Sequence, residues 1–203
     1  MRTIFLAIIC LIVAPAWGAE LSPLEKASNV LAKITGTSVR NFSTQDFGRA
    51  TYSKARSALV PEQTAEVVLR KVRAQLPAGT IAFVGVTHSL ARPKPNGVEL
   101  VVAEGSSQFD ILRVAASDGI NYGLKTEDLI HELQAWDHEI GIDIWQAETD
   151  TVQLRLKALP KNLPEFATRV YKFCPDIVGQ GVGSVSALEK EIAKEKSVFL
   201  WWD

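Results

Sequence analysis

The chain has 203 residues, of which 47% are hydrophobic and 22% are charged, a composition typical of a globular protein with one sizeable core. Its 22 basic and 23 acidic residues are interspersed and give a formal net charge of −1. No stretch is basic enough to follow a phosphate backbone, so the composition argues against a nucleic-acid partner.

The first eighteen residues have the pattern of a secretory signal peptide. Arg2 supplies the positive charge, and residues 4–14 form a short apolar segment. Ala16 and Gly18 place small residues at the −3 and −1 positions of a cleavage site before Ala19. The alternative, an uncleaved membrane anchor, needs about 20 apolar residues, and no later segment has that length either. We therefore expect a mature chain that begins at Ala19, contains no membrane span, and is periplasmic or secreted.

The expected mature chain contains one cysteine, Cys174, because Cys10 lies in the apolar segment that is removed. No intramolecular disulfide can then form, so the hydrophobic core must stabilise the fold. A free thiol persists in an oxidising compartment when it is buried, so we expect to find Cys174 in the core.

The mature chain begins with a helix and continues as a polar connection, together spanning residues 19–60. Ser22, Pro23 and Glu25 form a helix start with a capping box, and Gly36 suits the helix end. Residues 37–60 are rich in Ser, Thr and Arg and contain only isolated aromatic residues. This composition predicts a connection that runs over the surface.

Residues 61–103 predict a helix followed by a β-hairpin. Pro61 begins a helical pattern, and a Pro-Ala-Gly sequence ends it. The apolar stretches 80–87 and 98–103 flank a turn at 92–97 that is rich in Pro and contains a Gly. Two apolar stretches separated by such a turn are the pattern of antiparallel strands.

The same order, a helix and then two strands, recurs in the next segment. After a short helix at 106–116 with a serine cap, Thr126 caps the clearest helix of the chain, and Gly141 ends it. The apolar seam of this helix consists of Leu129, Leu133, Trp136 and Ile140. A second hairpin joins strands at 142–147 and 151–157, and polar residues alternate with apolar ones in the latter, which predicts one solvated face.

The last segment predicts two helices, at 165–173 and after Ser184, which are separated by a Gly-rich turn at 179–183. A strand at 197–202 closes the chain. Its consecutive large apolar residues would form an exposed, aggregation-prone end of the chain unless the strand is buried on both faces. We therefore expect an α+β domain with a mostly antiparallel sheet of about five strands, helices packed on one face, and the C-terminal strand in the core.

Three runs of residues carry a resemblance to a known family. They are NYGLKTEDLIHELQAWDHEIGIDI, which begins at Asn121, then YKFCPDIVGQGVGS, and the closing LWWD. Together they resemble a bacterial family, the domain of unknown function 4253, over roughly residues 61–203. The resemblance implies that these residues form a single domain, and it carries no activity.

Cys174 with a histidine would suggest a thiol nucleophile and its base. His131, however, lies about 200° around the predicted helix from the buried Leu129, and His138 shares its outward face. Two turns, about 10 Å, separate these histidines, which is too far for one metal ion, and Ala135 breaks the HExxH pattern. We therefore assign no catalytic residue, no metal ligand and no cofactor, and we favour a buried structural cysteine.

The Gly-rich sequence at 179–183 lacks the Lys-Ser/Thr of a phosphate-binding loop and predicts a flexible turn. Strand alternation sends Trp201 and Trp202 to opposite faces, so one of them can reach the surface. A tryptophan beside polar groups is typical of a recognition site, although two core tryptophans fit the pattern as well. The candidate binding residues are Cys174, Asp176, Gln180, Trp201, Trp202 and Asp203.

The sequence therefore favours an exported module that recognises a protein or a small ligand, for example a protein that neutralises another protein. The alternative is a thiol or hydrolytic enzyme that uses Cys174.

Overall fold

The structure, a computed structural model, describes residues 20–44, 51–86 and 96–203, and of residues 51–53 the backbone only. The predicted signal peptide and most of the predicted turn at 92–97 lie outside these ranges. The helices are α1 (Pro23–Thr35), α2 (Ala65–Arg73), α3 (Asp110–Ala115), α4 (Thr126–Ile140), α5 (Leu163–Phe173) and α6 (Val185–Glu195). The strands are β1 (Arg40–Ser43), β2 (Thr51–Val60), β3 (Thr80–Val84), β4 (Val98–Glu104), β5 (Ile142–Ala147), β6 (Thr151–Leu156) and β7 (Ser197–Trp201).

The strands form one sheet in the order β1-β2-β4-β3-β5-β6-β7. Every neighbouring pair is antiparallel except β3 and β5, which are parallel. The predicted α+β class and both predicted hairpins are confirmed, with seven strands in the described part of the chain where about five were expected.

The surface connection predicted for residues 37–60 is wrong, because β1 and β2 lie within it. β2 pairs with β4 from Ala55 opposite Ala103 to Val60 opposite Val98. Its inward positions include Ala55 and Ser57, which are fully buried but too small to produce a strong hydrophobic pattern. The sheet therefore continues across the expected boundary at residue 60.

Helices cover both faces of the sheet, which corrects the expectation of one covered face. On one face, α1 and α2 pack on β2, β3 and β4. On the other, α3, α4, α5 and α6 bury the larger core. The reason lies in β4, where every residue from Val98 to Ala103 is buried and all but Glu99 are apolar, since a strand buried on both sides needs cover on both sides.

The helix starts follow the predictions at α1 and α6, and a serine also caps the turn before α3. In α1, the Ser22 hydroxyl accepts from the backbone N–H of Glu25, and the Glu25 carboxylate accepts from that of Ser22, which confirms the capping box. At α3 the Ser107 hydroxyl accepts from the N–H of Phe109 at 3.2 Å, so Ser107 caps the turn that leads into the helix, while the Asp110 carboxylate accepts from the N–H groups of Ser106 and Ser107. One carboxylate thus satisfies two backbone N–H groups before the helix that would otherwise lack an acceptor.

α4 also begins differently from the prediction. Thr126 is its first helical residue rather than its cap, and the Asp128 carboxylate accepts from the N–H of Lys125 at 2.8 Å. The predicted seam of this helix is buried, and Gly141 ends it with a φ of 68°, a conformation that favours glycine. None of the helices in the described ranges has the length and apolar character that a bilayer crossing requires.

β7 is confirmed as a strand of the sheet, and its side chains Val198 and Leu200 are buried in the core. The expected burial of this strand on both faces is wrong. Among the described residues, β7 is the last strand in the order and pairs only with β6. Phe199, on its outer face, is 45% exposed. An edge strand has one row of backbone groups without a strand neighbour.

Candidate functional site

The free edge of β7 is where the candidate residues meet. The backbone carbonyl of Lys196 accepts from Leu156, and the N–H of Trp202 donates to Asp150, so the even-numbered positions bond toward β6. Because successive residues of an antiparallel strand alternate in direction, the backbone groups of Ser197, Phe199 and Trp201 point away from β6, toward the open edge.

Cys174 closes one end of this edge. The residue follows α5 and is fully buried, which confirms the expectation that the thiol lies in the core. Its Sγ accepts from the Trp201 N–H at 3.2 Å and donates to the Trp201 carbonyl at 2.9 Å. The thiol thus satisfies both backbone groups of Trp201, as a neighbouring strand would. Burial raises the pKa of the Cys174 thiol to about 11, so it stays protonated at neutral pH.

Asp176 joins three segments of the chain. Its carboxylate is buried and accepts hydrogen bonds from the hydroxyl of Tyr122 at 2.6 Å, the side-chain amide of Gln180 at 3.2 Å and the backbone N–H of Asp203 at 2.9 Å. Burial acts to raise the pKa of this carboxyl group, but the three donors outweigh it and hold the pKa below its usual range. Asp176 is therefore an ionised anchor that fixes the end of the chain.

Tyr122 is the site residue that sequence reasoning missed. It lies in a short 3₁₀ turn, Ile120–Tyr122, and is 41% exposed. Its hydrogen bond to Asp176 raises its pKa to about 12. The only sequence signal here was the Asn-Tyr-Gly run, which predicts a turn and says nothing of a partner 54 positions away.

The two tryptophans divide between core and surface, as strand alternation predicts. Trp202 is buried, donates from its indole N–H to the Phe173 carbonyl at 3.1 Å, and meets the Phe173 ring edge to face at 5.4 Å. Trp201 is half-buried and lies on the same side of β7 as Phe199. Trp202 thus holds the end of the chain in the core, and Trp201 is the tryptophan that reaches the protein surface.

A groove of about 210 Å³ runs beside the β7 edge, and we call it the edge groove. It is lined by Ile177, Gly181, Val182, Leu188, Glu191, Ile192, Ser197, Val198, Phe199 and Trp201. One wall is therefore β7, and the other consists of α6 with the turn before it. The lining is mainly apolar, and Glu191 is the charged residue in it.

The structure brings all six candidate residues into one neighbourhood through the contacts of Asp176, Cys174 and the last three residues. The Gly-rich turn differs from the prediction, because residues Ile177–Val182 form a π-helical turn that ends at Gly183 with a φ of 81°. His131 and His138 are exposed on α4, away from the buried thiol. Within the described ranges, no group of three or more His, Cys, Asp or Glu side chains is arranged to hold a metal ion.

The sequence profile of the family described as "Domain of unknown function (DUF4253)" matches residues 99–203, just over half of the chain. The chain belongs to the DUF4253 family. The DUF4253 match confirms the resemblance and begins at β4 rather than near residue 61. It contains Tyr122, the six candidate residues and the whole edge groove. No curated protein and no solved structure matches the chain.

Proposed function

We propose that this DUF4253 protein is an exported binding module that recognises another protein through the β7 edge and the edge groove. The observation that carries the proposal is Phe199, a large aromatic residue that is 45% exposed at the rim of a mainly apolar groove. Half-buried Trp201 lies beside it on the same face of the strand. Exposed aromatic side chains around an apolar centre are typical of the anchor regions of protein interfaces.

The size of the groove favours a protein over a small ligand. Its volume of about 210 Å³ lies below the range of about 300–1,000 Å³ that is usual for small-molecule pockets. A groove of this size suits one or two side chains that a larger partner inserts.

The network around Asp176 supports the proposal because it holds the rim in place. Asp176 binds the backbone of Asp203, and Cys174 binds the backbone of Trp201, so the end of β7 has a fixed position beside the groove. A binding surface that is already ordered loses less conformational entropy when the partner arrives.

The state of the thiol favours a binding module over a thiol enzyme. A nucleophilic cysteine needs a lowered pKa and access to its substrate. Cys174 is fully buried, its pKa is raised to about 11, and its hydrogen bonds are made with backbone groups, among them both groups of Trp201.

A pull-down with three baits tests the proposal. The baits are the wild-type mature chain, Phe199→Asp at the groove and His138→Asp as a matched control on the exposed side of α4. Proteins from the extracytoplasmic fraction of the native cell are retained on each bait and compared by quantitative mass spectrometry. We expect a protein that the wild-type and His138→Asp baits retain and the Phe199→Asp bait loses. Equal retention on all three baits, or no specific protein on any, would contradict the proposal.

A further inference from the structure

We infer that the partner binds as an extended segment that adds to β7 as an eighth strand of the sheet, an inference that rests on the proposed function. β7 ends the sheet, so within the described part of the chain no strand lies beside the outward N–H and C=O groups of Ser197 and Phe199. An extended peptide that pairs with such an edge gains main-chain hydrogen bonds without a change in the fold.

The thiol of Cys174 limits how far this pairing extends. The backbone N–H and C=O of Trp201 are both bonded to Sγ, so they are closed to an added strand. Ser197 and Phe199 are then the two positions at which a partner pairs, and the paired stretch is short. Recognition therefore depends on side chains that enter the edge groove as well as on the main chain.

The lining of the edge groove defines the side chains that fit. An added strand directs alternate residues toward one face, and on the α6 side these residues meet Leu188 and Ile192. Both side chains are almost fully buried, and the half-buried Val182 adds apolar surface to the same wall, so this wall favours apolar partner residues. Glu191 is the charged residue of the same wall, and Lys194, which donates to Glu195 at 2.6 Å, also interacts electrostatically with Glu191. The segment that fits has apolar residues at alternate positions and a lysine or arginine that reaches Glu191 on the same side.

A displayed library of random peptides tests this inference without a known partner. The library is selected on the wild-type mature chain, and the enriched peptides are measured against three variants. Phe199→Ala removes the aromatic ring and keeps the backbone N–H, whereas Phe199→Pro removes both. Because this N–H points away from β6, proline there leaves the β6–β7 hydrogen bonds intact. Glu191→Lys reverses the charge of the groove wall.

We expect enriched sequences in which apolar residues alternate and a basic residue lies on the apolar side. They should bind Phe199→Pro about tenfold more weakly than Phe199→Ala, which is the loss of about one hydrogen bond. Selection on Glu191→Lys should enrich acidic residues at the position of the basic one, and this result does not depend on the folding of the proline variant.

The inference is overturned if no sequence is enriched, if the enriched sequences lack the alternation, or if Glu191→Lys selects the same basic residues. These results separate the two proposals. If the Phe199→Asp bait loses a partner in the pull-down but the peptide library enriches no sequence, strand addition is refuted and the binding-module proposal stands. If the pull-down also yields no partner that depends on Phe199, both proposals fail.

Discussion

Replacement of Trp202 by alanine should destabilise the whole domain, although the residue follows the last strand. Trp202 is 3% exposed and packs edge to face against Phe173. Its ring also lies against Gly119, so closely that a Cβ atom at that position would be 3.0 Å from the Cδ1 of the indole. The substitution therefore opens a cavity between the end of the chain, the end of α5 and the turn at Gly119.

The size of the effect follows from these contacts. A buried Trp→Ala change costs roughly 3–5 kcal/mol, and the Phe173 carbonyl also loses the indole N–H donor at 3.1 Å. Domains are stable by about 5–15 kcal/mol in total, so this loss removes a large part of the free energy of unfolding. In a domain of this size we expect the midpoint of thermal unfolding to fall by roughly 6–20 °C.

Urea unfolding followed by far-UV circular dichroism measures the effect, since fluorescence itself changes when a tryptophan is removed. Phe199→Ala is the matched control, because it removes an aromatic residue from the exposed side of β7 and should change the free energy of unfolding by no more than about 0.5 kcal/mol. If Trp202→Ala unfolds within about 1 kcal/mol of the wild type, or the control costs as much as Trp202→Ala, the anchor role is refuted.

Three further outcomes follow from the same site. Native Cys174, with its pKa raised by burial to about 11, should react with a thiol reagent at pH 8 at least about 100-fold more slowly than in urea, and equal rates would contradict its burial. Asp176→Asn should cost about 1–3 kcal/mol at pH 7 by urea unfolding. Hydrogen bonds lower the pKa of Asp176 in the folded state, so its contribution to stability is present above about pH 4 and is lost as the pH falls further. If the free energies of unfolding of Asp176→Asn and the wild type differ by the same amount down to about pH 2, this is contradicted. Mass spectrometry of the exported protein should find Ala19 at the N-terminus, and a full-length product would exclude cleavage.

Much of the fold could be predicted where local pattern and long-range packing agree. The seam of α4 and the alternation in β6 repeat over several turns or residue pairs, so their buried faces were readable from the sequence. Gly36 and Gly141 adopt positive φ at the helix ends, as their positions predict. These features depend on residues that are close together in the chain.

The errors arose where strand order or small residues decide the outcome. β2 was missed because Ala55 and Ser57 are buried without being large. The edge position of β7 depends on which strands lie beside it, and a single strand's sequence does not contain that information. The same holds for Tyr122, whose partner Asp176 is distant in the chain. The six candidate residues lie near one another because they follow α5 or end the chain, and the contacts of Cys174 and Asp176 join these two segments.

Site-specific photo-crosslinking in the cell shows whether the β7 edge contacts a protein partner. Benzoyl-phenylalanine replaces Phe199 in one form of the protein and the exposed His138 in the other, and both are irradiated in the native cell. We expect a discrete adduct of higher mass from position 199 and none from position 138. An absence of adducts at position 199, or the same adduct from both positions, would contradict the proposed contact.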